Sequence, residues 1–297
     1  MRVSSKIKAV FSSLTFFILV GMMLGLVTGG FPRYTSEIST VALMIAMILS
    51  LTNVKISQLD FRKERKNFLI SFLLNFGFLS SIILLLGLFF PEELWNGFVV
   101  MAAVPPAIMV APLTRAIKGN VKLSFFSLSS IYVISIFATP FLIFIFSNKS
   151  INIYGMLQNT ILLIVLPLII SRIVVKMRIP EKRIHFVTNI CFFILVFAII
   201  GKNQGFILYE TSILVFLFIA MFVRTFVVGS LVLYLGQKIG VSREDIISFS
   251  LFASFKNEGL ALLIAFSLFN ASSSVPPAVA LITELIWVCC LEWRVKK

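Results

Sequence analysis

Polar residues in this chain come in short clusters. Between the clusters run apolar stretches of about twenty residues, the length at which an α-helix crosses a bilayer. Ten such runs are predicted, at roughly residues 9–29, 35–52, 67–90, 96–116, 121–147, 152–175, 184–201, 210–236, 244–269 and 275–293. The loops between them are short, so residues 1–297 form a single integral domain of an all-α polytopic membrane protein. The first run has a basic lead-in, Arg2, Lys6 and Lys8. It is too long for a signal-peptide core and ends VTGGF without an A-x-A-like site, so it is predicted to be a retained first helix.

Composition agrees with the pattern. Hydrophobic residues make up 59% and charged residues 13%, with 32 Phe and a mean hydropathy of +1.06, far from the quarter-charged average of soluble chains. The net charge of +14 invites a nucleic-acid reading, which the placement of the 26 Lys and Arg excludes. All but five fall at the two termini and in the loops after even-numbered runs. Only Arg33, Lys149 and Lys202 lie on the other side, and Arg224 and Lys256 are inside runs. That split follows the positive-inside rule for ten helices with both termini cytoplasmic. A multi-pass protein of the cell membrane is expected, with the lipid bilayer as a partner and no nucleic acid. Cys191, Cys289 and Cys290 lie in apolar runs with no metal-type spacing, and the single His185 sits at a cytoplasmic helix start. No nucleophile–base pair, P-loop or dinucleotide fingerprint is present, so the chain is not expected to be an enzyme.

Dividing the chain into residues 1–148 and 149–297 leaves five runs in each half. An odd number per half turns the second upside down relative to the first, which is the arithmetic of an inverted repeat. In such folds the binding site is marked by interrupted helices at matched positions. The fourth run, MAAVPPAIMVAPLTRAIKGN, carries Pro105, Pro106 and Pro112, each lacking a backbone donor. The ninth, SFKNEGLALLIAF, sets Lys256, Asn257 and Glu258 before Gly259, where the backbone is expected to unwind and turn carbonyls towards a cavity. Runs four and nine are therefore predicted to be broken.

These same stretches carry a resemblance. AIMVAPLTRAIKGNVKLSFFSLSSI, with its Lys118-Gly119-Asn120 turn, and Asn257-Glu258-Gly259-Leu260-Ala261 are similar to the bile acid:sodium symporter family, of the bile/arsenite/riboflavin transporter superfamily. The chain looks like a divergent, prokaryotic-type member. The resemblance implies a panel of helices 1, 2, 6 and 7 and a core of helices 3–5 and 8–10, with broken helices 4 and 9 crossing at two sodium sites. Carried over residue by residue, the ligands are mostly lost. A Ser-Asn pair falls at Val110 and Ala111, a hydroxyl is kept as Ser124, and the next ligand falls at Leu128, between Ser127 and Ser129. An acid falls at Phe252, a glutamine at Lys256, an asparagine is kept as Asn257, and a further glutamine corresponds to Asn75. Sodium needs several oxygens, so coupling to it is not expected from this set. Any sodium site that is kept should lie near Asn75, Ser124 and Asn257, and no other cofactor is expected.

Four ionisable residues, Arg224, Lys256, Glu258 and Glu284, lie inside runs and sum to zero charge. Each would cost about 2.5–3.5 kcal/mol at the bilayer centre, so all four are expected to face the protein interior or a wet cavity. Lys256 is expected to put its ammonium where the family's ion would bind, with its donors meeting Asn75, Asn257 and helix-end carbonyls. Glu258 and Glu284 then balance it or carry a proton. Pro112 and Thr114 on run four complete the candidate site. The function expected is secondary transport of a small organic anion, uncoupled or coupled to protons. An arsenite-type permease is the alternative within transport, although Pro106 stands where those proteins place a cysteine; a non-transporting sensor on the same fold is the alternative outside it.

Overall fold

The computed structural model describes residues 14–52, 61–147, 158 and 161–296, and every regular element among them is helical. Arg2, Lys6 and Lys8, the loop residue Lys55, Lys149 at the midpoint, most of the first half of run six, and Lys297 lie outside the described residues.

Helix is found in each of the ten predicted runs. The first two are α1 (Leu14–Thr28) and α2 (Thr35–Leu51). The third joins α3 (Phe61–Phe72) to α4 (Ser80–Gly87) through a π-helical segment, Leu73–Leu79. The fourth is divided into α5 (Glu92–Ala103) and α6 (Val110–Ala116), and the fifth is the continuous α7 (Val121–Phe146). Then come α8 (Leu166–Val174), α9 (Glu181–Lys202) and a short α10 (Gln204–Tyr209). The eighth run joins α11 (Thr211–Phe222) to α12 (Val228–Lys238) through a second π-helical segment, Val223–Val227. The ninth is divided into α13 (Arg243–Ser254) and α14 (Glu258–Leu268), and the tenth is α15 (Val275–Lys296). Five stretches, Glu64–Gly87, Val121–Phe146, Glu181–Lys202, Thr211–Lys238 and Arg243–Leu268, are long and apolar enough to cross a membrane, and runs one, two and ten hold shorter apolar helices.

Both breaks occur, and each differs from its prediction in detail. Residues 104–109 interrupt run four, so Pro105 and Pro106 lie in the gap. Pro112 instead sits in the first turn of α6, where a missing N–H removes no helical bond. In run nine the gap is Phe255–Asn257, ahead of Gly259. Gly259 is helical and unwinds nothing; its lack of a side chain lets Phe192 approach, since an added Cβ would lie 3.0 Å from that ring.

Two groups of helices emerge from the packing. One unites α1, α2, α8 and α9, with α9 against α1 and α2 making the most extensive contact among the described residues. Gly25 permits that closeness: a Cβ there would come 2.8 Å from the Phe197 carbonyl oxygen. The other group gathers α3 to α7 and α11 to α15, and α14 touches α2 and α9 across the seam. The Lys118-Gly119-Asn120 turn staples this second group. Lys118 adopts a left-handed φ of 59°, and Asn120 caps α7 through Leu123 N at 3.0 Å. Its Nδ2 reaches Asp245 Oδ1 at 2.7 Å and its backbone N reaches Glu244 O at 3.0 Å, both at the start of α13.

Candidate functional site

A helix that stops inside an apolar interior leaves its last carbonyls without partners, and the two breaks raise that difficulty side by side. They are in contact, because Asn257 N donates to Pro105 O at 2.8 Å. At the end of α5, Val104 turns extended (φ −75°, ψ 153°), and the exposed carbonyls need donors. The Lys256 ammonium supplies them, with Nζ 2.9 Å from Ala102 O, 2.9 Å from Val104 O and 3.0 Å from Ser80 Oγ. Ser80 Oγ also lies 2.6 Å from Ala102 O, and Thr139 Oγ1 donates to Ala103 O at 2.8 Å. The ring of Phe76 lies 4.5 Å from Nζ, a cation–π distance. A full charge at a helix C-terminus also suits the helix dipole.

The end of α13 is treated similarly from the other direction. Asn75, in the first π-helical segment, donates from Nδ2 to Phe252 O at 2.9 Å and Phe255 O at 3.0 Å. Arg224, in the second, donates from Nη2 to Ser254 O at 3.2 Å. A π-helical segment adds a residue to the turn and re-aims side chains, and here both segments direct a donor at the same half-helix end.

Arg224 also holds both buried carboxylates: Nη1 bonds to Glu258 and Nη2 to Glu284. Glu284 Oε1 accepts in addition from Lys256 N at 3.0 Å. All four charged residues are buried, at 2% exposure or less. The expected partners of Lys256 are thus corrected in part. Its ammonium meets helix-end carbonyls, as expected, but Ser80 replaces Asn75 and Asn257, and the carboxylates go to the arginine. The reason is positional, since Arg224 reaches the break from α11 and α12 while Lys256 extends towards α5.

Asn257 caps α14 through Leu260 N at 3.1 Å and donates from Nδ2 to Tyr132 Oη at 2.8 Å. Thr114 Oγ1 and Ser124 Oγ bond to each other at 2.9 Å, and Val110, Ala111, Leu128 and Phe252, the positions to which the resemblance carried the other ligands, are buried apolar residues. Among the described residues no group of His, Cys, Asp or Glu is arranged for a metal ion.

A cavity of about 370 Å³ lies at the seam between the two helix groups. Lys256, Asn257, Glu258, Gly259 and Glu284 stand on its wall, whereas Asn75, Thr114, Ser124 and Arg224 support the site from behind. Leu43, Met47, Ile108, Phe192 and Leu285 make much of the lining apolar. Ser50, His185, Thr188 and Asn189 bring polar groups to it from α2 and α9. Sequence reasoning missed Ser80, Thr139 and Tyr132. The available signal was a hydroxyl inside an apolar run, weak because helices commonly satisfy hydroxyls on their own carbonyls.

The chain belongs to the SBF-like CPA transporter family, whose model matches residues 10–289, in keeping with its resemblance to the bile acid:sodium symporters. It is therefore a multi-pass membrane protein of a transporter family. No curated protein matches the chain at a significant level.

Proposed function

We propose that this protein is a secondary transporter that carries a small organic anion by alternating access without using sodium. The observation behind this reading is the position of the Lys256 ammonium, which engages two carbonyls at the end of a broken helix, where a bound cation would otherwise balance them, and the Ser80 hydroxyl beside them. A tethered charge cannot travel with a solute, so it stays on the helix-end carbonyls and contributes no driving force.

The rest of the architecture follows in this reading. Ten spans form two inverted repeats, residues 1–148 and 149–297; α1, α2, α8 and α9 act as a panel, and the remaining spans as a core that rocks against it. Both termini lie in the cytoplasm of a cell whose surface membrane holds the protein. The cavity lies between panel and core, which fits a site exposed by their movement, and its largely apolar wall suits an anion with an apolar body.

The test is counterflow of a panel of organic carboxylates and sulfonates in proteoliposomes, with sodium replaced by potassium or choline at fixed pH. Uptake is expected to be unchanged. A steep, saturable sodium dependence would show that other oxygens rebuild an ion site and would end this reading.

A further inference from the structure

Glu258 and Glu284 are the only carboxylates on the cavity wall among the described residues. They share the guanidinium of Arg224, one carboxylate on each of its terminal nitrogens. The second oxygen of Glu258, Oε2, is buried with no hydrogen-bond partner among the described residues. An ionised carboxylate only accepts, so an oxygen buried without a donor favours a proton on this group over a bare charge. Lys256 does not supply it, because its three donors are taken by Ser80, Ala102 and Val104.

We propose that Glu258 and Glu284 hold one exchangeable proton between them over Arg224, and that the cargo anion binds when this proton is present, so that proton and anion move together. The inference rests on the organic-anion reading and adds the coupling ion and its site. Charge supplies the argument. With both carboxylates ionised, the two glutamates, Arg224 and Lys256 sum to zero, and an anion entering an apolar cavity adds an uncompensated charge where the low dielectric makes it costly. With one proton on the pair the four groups carry a charge of +1, and the anion restores neutrality. The proton is taken from water on the open side and returned to water on the other; only an O–H bond is made and broken.

The groups around the pair are few. Arg224 comes from the segment between α11 and α12, Lys256 and the neutral Asn257 from the break, and Tyr132 from α7 behind Asn257. Across the cavity α9 brings His185, whose contribution the test separates from that of the pair.

The probe is 2-naphthalenesulfonate, which stays ionised across the range and so contributes no proton of its own. Its binding to the purified full chain is measured by titration calorimetry between about pH 5 and about pH 9, in buffers of different ionisation enthalpy. Above the pH at which the pair loses its proton, wild-type protein is expected to take up close to one proton per anion, and its Kd to rise about tenfold per pH unit. Glu258→Gln, whose amide donates without a proton, is expected to bind with no uptake and a flat pH profile. Glu258→Asp should keep the uptake, and so should His185→Gln, whatever it does to affinity. A flat profile in the wild type overturns the proposal and leaves the anion reading standing; this measurement needs no variant to fold. Proton uptake that survives in Glu258→Gln or disappears in His185→Gln also overturns it. Absence of binding at every pH in all four proteins removes the anion reading and the proposal together.

Discussion

The two broken helices meet one difficulty with different chemistry. In run four the break is built into the covalent structure, since Pro105 and Pro106 have no N–H to continue the ladder. Its carbonyls at Ala102 and Val104 are neutralised by an ammonium that comes from the opposite break. In run nine there is no proline between Ser254 and Glu258. There the interruption is stabilised by what surrounds it: Asn257 caps the following half-helix, Asn75 holds Phe252 O and Phe255 O, and Arg224 holds Ser254 O. The first break is local and the second is tertiary. Lys256 ties them into one unit, because the residue that neutralises the first belongs to the second.

The largest effect is expected from Arg224→Met. It leaves two buried carboxylates and a carbonyl without their cation, and breaking a single buried ion pair already costs about 3–5 kcal/mol. The variant should fall at or beyond that upper value, and thermal unfolding in detergent will read it. A double variant with Glu284→Gln should recover part of the loss, and additive losses would show that the arginine and glutamate do not act as a pair. Lys256→Met is expected next, at about 3 kcal/mol, since it strips the charge from α5 but leaves Ser80 and Thr139 in place. Lys256→Gln should lose less, because the amide still donates to a carbonyl. Unchanged stability and transport in Lys256→Met would remove the tethered-cation reading of the first break.

Asn75→Leu tests the second break alone. It deletes two neutral hydrogen bonds to helix-end carbonyls, for a loss of about 1–3 kcal/mol. If the distinction between the breaks is correct, this change should raise hydrogen exchange around residues 255–257 while leaving the proline-built break unaltered. The smallest effect is expected from Thr139→Val, which removes one neutral donor from Ala103 O and should cost about 1 kcal/mol in the same unfolding measurement. A loss as large as that of Lys256→Met would mean that the hydroxyl, and not the ammonium, governs the end of α5.

Much of the fold was legible because membrane helices announce themselves by length and apolarity. The first break was legible because proline acts locally, although only Pro105 and Pro106 do the breaking and Pro112 is accommodated in a first turn. The second was legible from polar residues in an apolar run, but its position was misjudged. Glycine at 259 read as the point of unwinding, whereas the interruption belongs to Phe255–Asn257 and to the distant groups that satisfy it. The two π-helical segments that aim Asn75 and Arg224 left no mark in the pattern, because a one-residue widening of a uniformly apolar helix changes no periodicity.

By itself the sequence determined the apolar runs, the charge asymmetry between them, the proline break, and the presence of four charges inside the runs that sum to zero. Those features depend on composition and on near-neighbour geometry. Only the tertiary structure decided which charge meets which: Arg224 holds both glutamates, and Lys256 goes to the end of α5. The physical reason is that lipid and protein core are both apolar, so a helix such as α7 or α9 carries no polarity difference strong enough to mark its buried face. Rotation and depth of the helices, on which every ion pair here depends, are set by packing between segments far apart in the chain.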